Sequence, residues 1–215
     1  MKLEAVNISK TIKNNKILSE VSLSLDGGSI YGFTGKNGSG KTMLFRALSG
    51  LMKIDSGMVV YDGQVLHKDI EVIPRLGIVL ENAGLYTEFS GFKNLKMLAN
   101  LNNLIGDKEI IEAIDRVGLD PYDKRPVRKY SLGMKQRLVI AQAVMEKPDV
   151  IMLDEPTNSI DENGVELVRG IINEEKNRGA LILLASHSRE DISILADKVF
   201  QIKNGVIKDK PEVEE

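Results

Sequence analysis

Residues 35–42 read Gly-Lys-Asn-Gly-Ser-Gly-Lys-Thr, a glycine-rich run that ends in lysine and threonine. It matches the pattern G-x-x-x-x-G-K-[S/T] at every fixed position, with a short apolar strand predicted before it at 29–33 and a helix predicted after it from Lys41. Glycines allow the torsions that turn successive backbone N–H groups inward, and the helix N-terminus adds its positive dipole end. A glycine-rich turn without a ligand is the alternative, but the agreement of the loop with its flanking elements favours a phosphate-binding site.

The side chains of this loop predict a nucleotide that carries magnesium. Lys41 is placed to reach the β- and γ-phosphates, and the hydroxyl of Thr42 is placed to ligate Mg²⁺. The loop residues expected to contact the nucleotide are Gly35, Asn37, Gly38, Ser39, Gly40, Lys41, Thr42 and Met43.

Residues 150–155, Val-Ile-Met-Leu-Asp-Glu, form the second element of the predicted site. Four apolar residues indicate a buried strand, and the carboxyl ends of parallel strands are where ligands bind. Asp154 would contribute to the Mg²⁺ shell, and Glu155 would act as general base on an attacking water. Alone, the two acids also fit a solvated strand end; the phosphate loop favours the catalytic interpretation.

The rest of the chain alternates strands and helices around an all-helical middle. The strands predicted near 150 and 180 are continuously apolar, which is typical of a parallel sheet covered on both faces. Residues 17–25 alternate almost strictly between apolar and polar side chains, which indicates a half-buried strand. The predicted helices of the middle are 92–104, 108–117 and 132–146. We therefore predict an α/β core, about 1–84 and 147–208, interrupted by a helical subdomain at about 85–146.

The composition limits both the chemistry and the class of protein. The chain has 215 residues, enough for one large α/β domain, and its 42% apolar and 28% charged residues are ordinary for a globular protein. Without cysteine it has no disulfide or thiol nucleophile, and two histidines nearly exclude a multi-histidine metal site. The balance of 29 basic and 31 acidic residues does not suggest a strongly basic nucleic-acid-binding face, although a total of this kind leaves room for a local basic patch. Neither a membrane-spanning run nor a signal peptide is recognised, so we expect an intracellular, soluble chain.

Residues 130–138, Tyr-Ser-Leu-Gly-Met-Lys-Gln-Arg-Leu, lie between the two predicted site elements. With 35–42, the segment Leu-Asp-Glu-Pro-Thr-Asn-Ser-Ile-Asp at 153–161 and the pair Ser186-His187, they resemble the nucleotide-binding subunit of an ABC transporter. The resemblance covers essentially the whole chain, from Leu3 to about Lys208. It implies a phosphate-loop NTPase core with a mostly parallel sheet, an N-terminal antiparallel β subdomain and an inserted α-helical subdomain, with ATP and Mg²⁺ as cofactors.

The resemblance also assigns roles to residues that sequence chemistry alone would leave as structural. Ser131 and Gly133 stand where the family's signature motif faces the γ-phosphate bound by the other subunit; alone, Ser131 reads as a helix N-cap. His187 would contact the γ-phosphate and the attacking water, although a lone histidine after an apolar strand is more often structural. Asp161 would lie at the dimer interface. Glu81 stands where a glutamine usually senses Mg²⁺ and the transporter partner.

Some positions depart from the family pattern. Ile12 replaces the aromatic residue that stacks on adenine, so base selectivity is expected to weaken while Ile12 remains the candidate contact to the base. Met43 replaces a frequent threonine, and Leu132 and Met134 replace a glycine and a glutamine of the signature. The catalytic set, Lys41, Glu155 and His187, is intact, so we expect active hydrolysis.

These features predict the ATPase subunit of an ABC transporter. Two copies would form composite ATP sites, and a separate membrane permease would bind near 81–95, where Leu85, Tyr86, Phe89 and Phe92 cluster, although these side chains also fit the core of the helical subdomain. The expected location is cytoplasmic, peripheral on the inner face of the membrane, without direct nucleic-acid binding.

The signature variant resembles exporters for peptide-antibiotic resistance. A non-transport ATPase of the same superfamily and a regulatory module without turnover remain alternatives.

Overall fold

The computed structural model describes residues 1–80 and 84–209. Its strands are β1 (Lys2–Ile12), β2 (Asn15–Asp26), β3 (Ile30–Thr34), β4 (Ser56–Tyr61), β5 (Gln64–Val65), β6 (Leu76–Val79), β7 (Val150–Asp154), β8 (Leu181–Ala185), β9 (Lys198–Lys203) and β10 (Val206–Asp209). Its α-helices are α1 (Lys41–Ser49), α2 (Gly91–Asn102), α3 (Asp107–Arg116), α4 (Leu132–Val144), α5 (Glu162–Asn177) and α6 (Arg189–Leu195), and a 3₁₀ helix spans Val127–Lys129. In the part of the chain described, no helix is long and apolar enough to cross a membrane.

An antiparallel sheet in the order β2-β1-β4-β5 forms the N-terminal part of the fold. The tight turn between β1 and β2 places Lys13 and Asn14 at φ 47° and 67°, the signs that a type I′ hairpin requires. Asp62 and Gly63 form the turn between β4 and β5, because Tyr61 pairs with Gln64 across it. Strand β2 buries alternate residues from Val21 to Leu25, as its sequence pattern predicts.

The second sheet runs β10-β9-β3-β8-β7-β6 and is parallel except for the hairpin of β9 and β10. Every residue of β7 and β8 is buried, which confirms the prediction from their continuous apolar runs. Val150 and Met152 face a core shared with the antiparallel sheet and α1, whereas Ile151 and Leu153 face a second core built with the helices. This doubly covered sheet confirms the predicted α/β class and ends, at its carboxyl edge, where the candidate site lies.

Helices α2, α3 and α4 occupy the predicted helical middle of the chain, within a few residues of the expected bounds. They pack their apolar faces on the helix-side core through residues such as Leu95, Ile114 and Leu138. Helix α4 approaches β6 so closely that a Cβ at Gly77 would lie 2.1 Å from the carbonyl oxygen of Ala143. This contact fixes the C-terminal end of α4 against the parallel sheet.

Candidate nucleotide-binding site

The phosphate loop connects the end of β3 to the start of α1. Gly40 has φ 111°, which favours glycine, and a Cβ at this position would lie 3.1 Å from the carbonyl oxygen of Ile17. The side chain of Lys41 folds back over the loop, and its Nζ donates to the carbonyl oxygen of Gly35 at 2.7 Å. Lys41 is only 7% exposed, so its ammonium is held inside the concave face of the loop, next to the helix N-terminus.

The two predicted magnesium ligands lie together. The hydroxyl of Thr42, in the first turn of α1, donates to Oδ2 of Asp154 at the end of β7. Oxygen donors of this kind suit Mg²⁺, which keeps several waters and binds proteins through one or two carboxylates plus phosphates. Among the described residues there is no group of three or more His, Cys, Asp or Glu that could hold a metal. The donor set at Thr42 and Asp154 therefore fits a magnesium ion that is shared with nucleotide phosphates.

Glu155 is a buried carboxylate in an unusual backbone conformation. Its φ is 52°, in the left-handed region that costs a non-glycine residue about 1–3 kcal/mol, and its N–H donates to the carbonyl oxygen of Ala185 at 2.8 Å. Oε2 accepts the backbone N–H of His187 at 3.1 Å. Burial raises the pKa of Glu155, and Asp154 adds to this, while the N–H and imidazole of His187 and the ammonium of Lys41 oppose it. A raised pKa makes this carboxylate a better proton acceptor.

His187 joins the phosphate loop to this carboxylate. Its Nε2 lies 2.5 Å from Oδ1 of Asn37 and 3.3 Å from Oε1 of Glu155. The second contact lacks hydrogen-bond geometry, so Oε1 of Glu155 is buried without a hydrogen-bond partner in the described part of the chain, as is the hydroxyl of Ser39. Buried polar atoms normally have partners, so these two oxygens fit the presence of a ligand and a water at the site.

These residues line one cavity of about 580 Å³. Of the predicted contacts, it brings together Asn37, Gly38, Ser39, Gly40, Lys41, Thr42, Met43, Asp154, Glu155 and His187. Gly35, the first residue of the loop, does not line this cavity. A Cβ at Gly35 would lie 2.4 Å from the carbonyl oxygen of Ile202. The cavity also includes Ile17, Arg46 and Asn158, which the sequence analysis missed. The only available signal for Arg46 was its position one helical turn after Thr42.

Comparison with known proteins identifies the family. A family model described as ABC transporter matches residues 18–158, which contain the phosphate loop, the 130–138 segment and both acidic residues. The chain belongs to the ABC transporter ATP-binding proteins. This confirms the resemblance that the motifs indicate.

Relatives of this ABC transporter ATP-binding protein cover nearly all of its length. YybJ, an ABC transporter ATP-binding protein of Bacillus subtilis, is 45% identical over 211 residues, which are 98% of this chain and 97% of YybJ. The lantibiotic transport ATP-binding protein SrtF of Streptococcus pyogenes is 33% identical over 95% of this chain and 88% of its own length. The bacitracin transport ATP-binding protein BcrA of Bacillus licheniformis is 35% identical over 94% of this chain and 67% of its own length.

Solved structures share the fold of this ABC protein. A dimeric, post-hydrolysis structure of the ATP-binding cassette MJ0796 bound to ADP and Pi superimposes with a TM-score of 0.89, at 20% identity, covering 99% of each chain. An ATP-binding subunit of an ABC transporter gives the same TM-score at 24% identity, covering 99% of this chain and 90% of that one. The likeness confirms the predicted cassette fold.

The remaining predicted contacts of the ABC protein lie outside the cavity. Ile12 is 38% exposed at the end of β1 and does not line it. Ser131 caps α4, with its Oγ accepting the N–H of Met134 at 3.1 Å, and a Cβ at Gly133 would lie 2.8 Å from the carbonyl oxygen of Ser159. Glu81 is outside the described residues. The roles of Ile12, Ser131, Gly133 and Glu81 stay predictions.

Proposed function

We propose that this ABC protein hydrolyses ATP, with Glu155 as the general base. The observation that carries the proposal is the place of Glu155: the residue is 9% exposed, its carboxylate has a raised pKa and contacts His187, and it directly follows Asp154, the partner of Thr42. A water at Oε1 of Glu155 would lose its proton there as it attacks the γ-phosphate. His187 would orient this water and hold Asn37 of the phosphate loop.

The phosphates would be held by the loop around Lys41. Inward N–H groups, the dipole of α1 and the ammonium of Lys41 supply positive potential without reorganisation during the reaction. Thr42 and Asp154 would hold Mg²⁺, which supplies neutralisation of the phosphate oxygens when it is bound. Ser39, whose buried hydroxyl lacks a partner among the described residues, would donate to the nucleotide.

A second copy of the chain would complete each site. The start of α4 is exposed, with Leu132 at 65%, so Ser131 and Gly133 are available to a nucleotide bound by another copy. The N-terminus of α4 favours an anion through its dipole and its free N–H groups. Asp161, at the exposed start of α5, would lie at the same interface.

We propose that the ATPase works with a separate membrane permease, as the inner, cytoplasmic component of an exporter. Two relatives are named for lantibiotic and bacitracin transport, which supports a transport role and fits the exporter-type resemblance of the signature variant. In the proposed contact region Tyr86 is 56% exposed and its ring lies 5.9 Å from that of Phe89, whereas Leu85 and Phe92 pack on the core. A cavity of about 450 Å³ is lined by Leu85 and by Glu155, so a partner bound here would act near the catalytic carboxylate. The contact would lie on the helical subdomain at about 85–146, which interrupts the core at about 1–84 and 147–208.

The test is phosphate release by the full chain carrying Glu155→Gln. We expect turnover to fall by at least about 100-fold, because the amide cannot accept the proton, while ATP still binds. Glu112→Gln, which removes an exposed carboxylate that lies 3.7 Å from the ammonium of Lys108, is the matched control and is expected to retain full turnover. Unchanged turnover in Glu155→Gln would remove Glu155 from the base role. ATP binding without turnover in the unmodified chain would favour the regulatory alternative.

A further inference from the structure

The turn that presents Glu155 needs support from its surroundings. Glu155 is held at φ 52°, and a non-glycine residue keeps left-handed backbone only where neighbouring structure over-determines it. One support comes from α4, where Nε2 of Gln136 donates to the carbonyl oxygens of Glu155 at 3.3 Å and of Pro156 at 3.2 Å. These bonds hold the turn from the side of the signature helix.

The second support comes from the opposite side, through Thr157. Its hydroxyl donates to Oδ2 of Asp191 at 2.6 Å, a bond that joins the turn after β7 to the first turn of α6. Asp191 is 2% exposed, so this hydrogen bond to a carboxylate is shielded from water. The turn at Glu155 is therefore clamped between two helices.

Arg169 holds the carboxylate of Asp191 in place. Its Nε and Nη2 donate to Oδ1 at 2.9 and 2.6 Å, which leaves Oδ2 for Thr157. The arginine comes from α5 and is 6% exposed, and its remaining Nη1 reaches Glu166 at 2.6 Å on the exposed side. Both oxygens of Asp191 have partners, so this buried charge pair is fully hydrogen-bonded and its geometry is fixed.

The same aspartate lies close in sequence to His187. The N–H of Asp191 donates to the hydroxyl of Ser188 at 3.1 Å, and the N–H of Ser188 donates to the hydroxyl of Ser186 at 3.0 Å. His187 stands between these two serines, and its own N–H donates to Glu155. The position of Asp191 thus sets where α6 begins relative to the turn of Glu155.

We propose that Thr157, anchored by Asp191 and Arg169, is a positioning residue for ATP hydrolysis. Its hydrogen bond keeps the Glu155 turn and the start of α6 in register, so that the Glu155 carboxylate and the His187 imidazole stay aligned on the attacking water. This inference rests on the proposed role of Glu155 as base. Thr157 lines neither the phosphate loop nor its cavity, so its effect is on the chemical step and not on nucleotide binding.

The experiment measures steady-state hydrolysis and equilibrium ATP binding of the full chain with Thr157→Val. Valine keeps the shape and branching of threonine and removes only the hydroxyl. We expect kcat to fall by about tenfold, because small misplacements of a catalytic group are costly, with KM and ATP affinity within about twofold of the unmodified chain. Thr157→Ser, which restores the hydroxyl, is expected to recover most of kcat.

The control variant is Glu166→Gln. It removes an exposed partner of Arg169 without touching Asp191, and it is expected to leave kcat unchanged. If Thr157→Val lowers only the melting temperature, or if it raises KM in proportion to its loss of kcat, Thr157 is structural and the inference is wrong. The same holds if serine fails to recover kcat. Glu155→Gln decides the base role by itself: if it abolishes turnover while Thr157→Val does not affect it, only the positioning inference fails.

Discussion

The turn at the end of β7 and the start of α4 are the two halves of the proposed ATP site, and they are built differently. Glu155 is 9% exposed and its turn is hydrogen-bonded from α4 and, through Thr157, from α6, whereas Leu132 beside Ser131 is 65% exposed and the hydroxyl of Ser131 caps α4. One half is preorganised inside a single chain. The other half makes few contacts of its own, which is what a surface that acts on another copy's nucleotide requires.

The largest effect on stability is expected when the buried carboxylate of Asp191 is removed from the preorganised half. Asp191→Ala removes the carboxylate oxygen that accepts both Nε and Nη2 of Arg169, which is 6% exposed. Breaking a buried pair in this way costs about 3–5 kcal/mol. Urea unfolding of the full chain is expected to show this loss, and Ser131→Ala, which removes the exposed cap, is expected to lose only about 1 kcal/mol. Equal losses for the two variants would contradict the difference between the halves.

The next largest effect is expected at the ammonium of Lys41. Lys41→Ala removes a 7% exposed charge that is held inside the phosphate loop, so ATP affinity is expected to fall by about 100-fold, equivalent to about 3 kcal/mol. Equilibrium binding measures this without any need for turnover. Lys108→Ala, whose side chain is 83% exposed on α3, is the matched control and is expected to bind ATP normally. If Lys41→Ala retained its affinity for ATP, the phosphates would not bind at this loop.

A negative charge at position 131 distinguishes between two roles of Ser131, that of a helix cap and that of a contact to a nucleotide bound by another copy. Ser131→Asp keeps a good N-cap, so the unfolding free energy is expected to change little, but its carboxylate would repel a phosphate bound by another copy. We expect hydrolysis to fall by about tenfold or more, with ATP binding to the single chain unchanged. Ser131→Asn, an equally good cap without the charge, is the control and is expected to retain more activity than aspartate. Full activity in Ser131→Asp would leave the residue as a cap only.

The smallest effects are expected at the apolar side chains that are candidates to contact the base. Ile17 lines the cavity and Ile12 does not, so Ile17→Ala is expected to weaken ATP binding by about threefold through lost apolar contact, and Ile12→Ala by less than about twofold. Competition between ATP and GTP for each variant measures base selectivity. A larger loss at Ile12 than at Ile17 would restore Ile12 as the base contact.

The sequence predicted the elements that short-range patterns encode. The loop at 35–42, the acidic strand end and the continuously apolar strands depend on spacing within a few residues, and each is confirmed as an element of the fold. The short strand β5, the final strand β10 and the 3₁₀ helix at Val127–Lys129 carry too few residues for a periodic signal.

The hydrogen bonds that support the site could not be predicted from the sequence in the same way. Thr157 and Asp191 are 34 positions apart and Arg169 and Asp191 are 22 apart, and no local pattern pairs them. Ile17 reaches the cavity because the β1–β2 hairpin and the loop meet in space, with its carbonyl oxygen near Gly40. The left-handed turn at Glu155 is equally hidden, because an acidic residue after a strand carries no signal for positive φ.

The central claim is that each ATP site combines the preorganised half of one chain with the exposed half of another. Mixing Lys41→Ala chains with Ser131→Asp chains tests it most directly, because only a mixed dimer contains one site with an intact phosphate loop and an intact Ser131. We predict that the mixture hydrolyses ATP well above the sum of the two separate variants. Activity equal to that sum at every mixing ratio would contradict the claim.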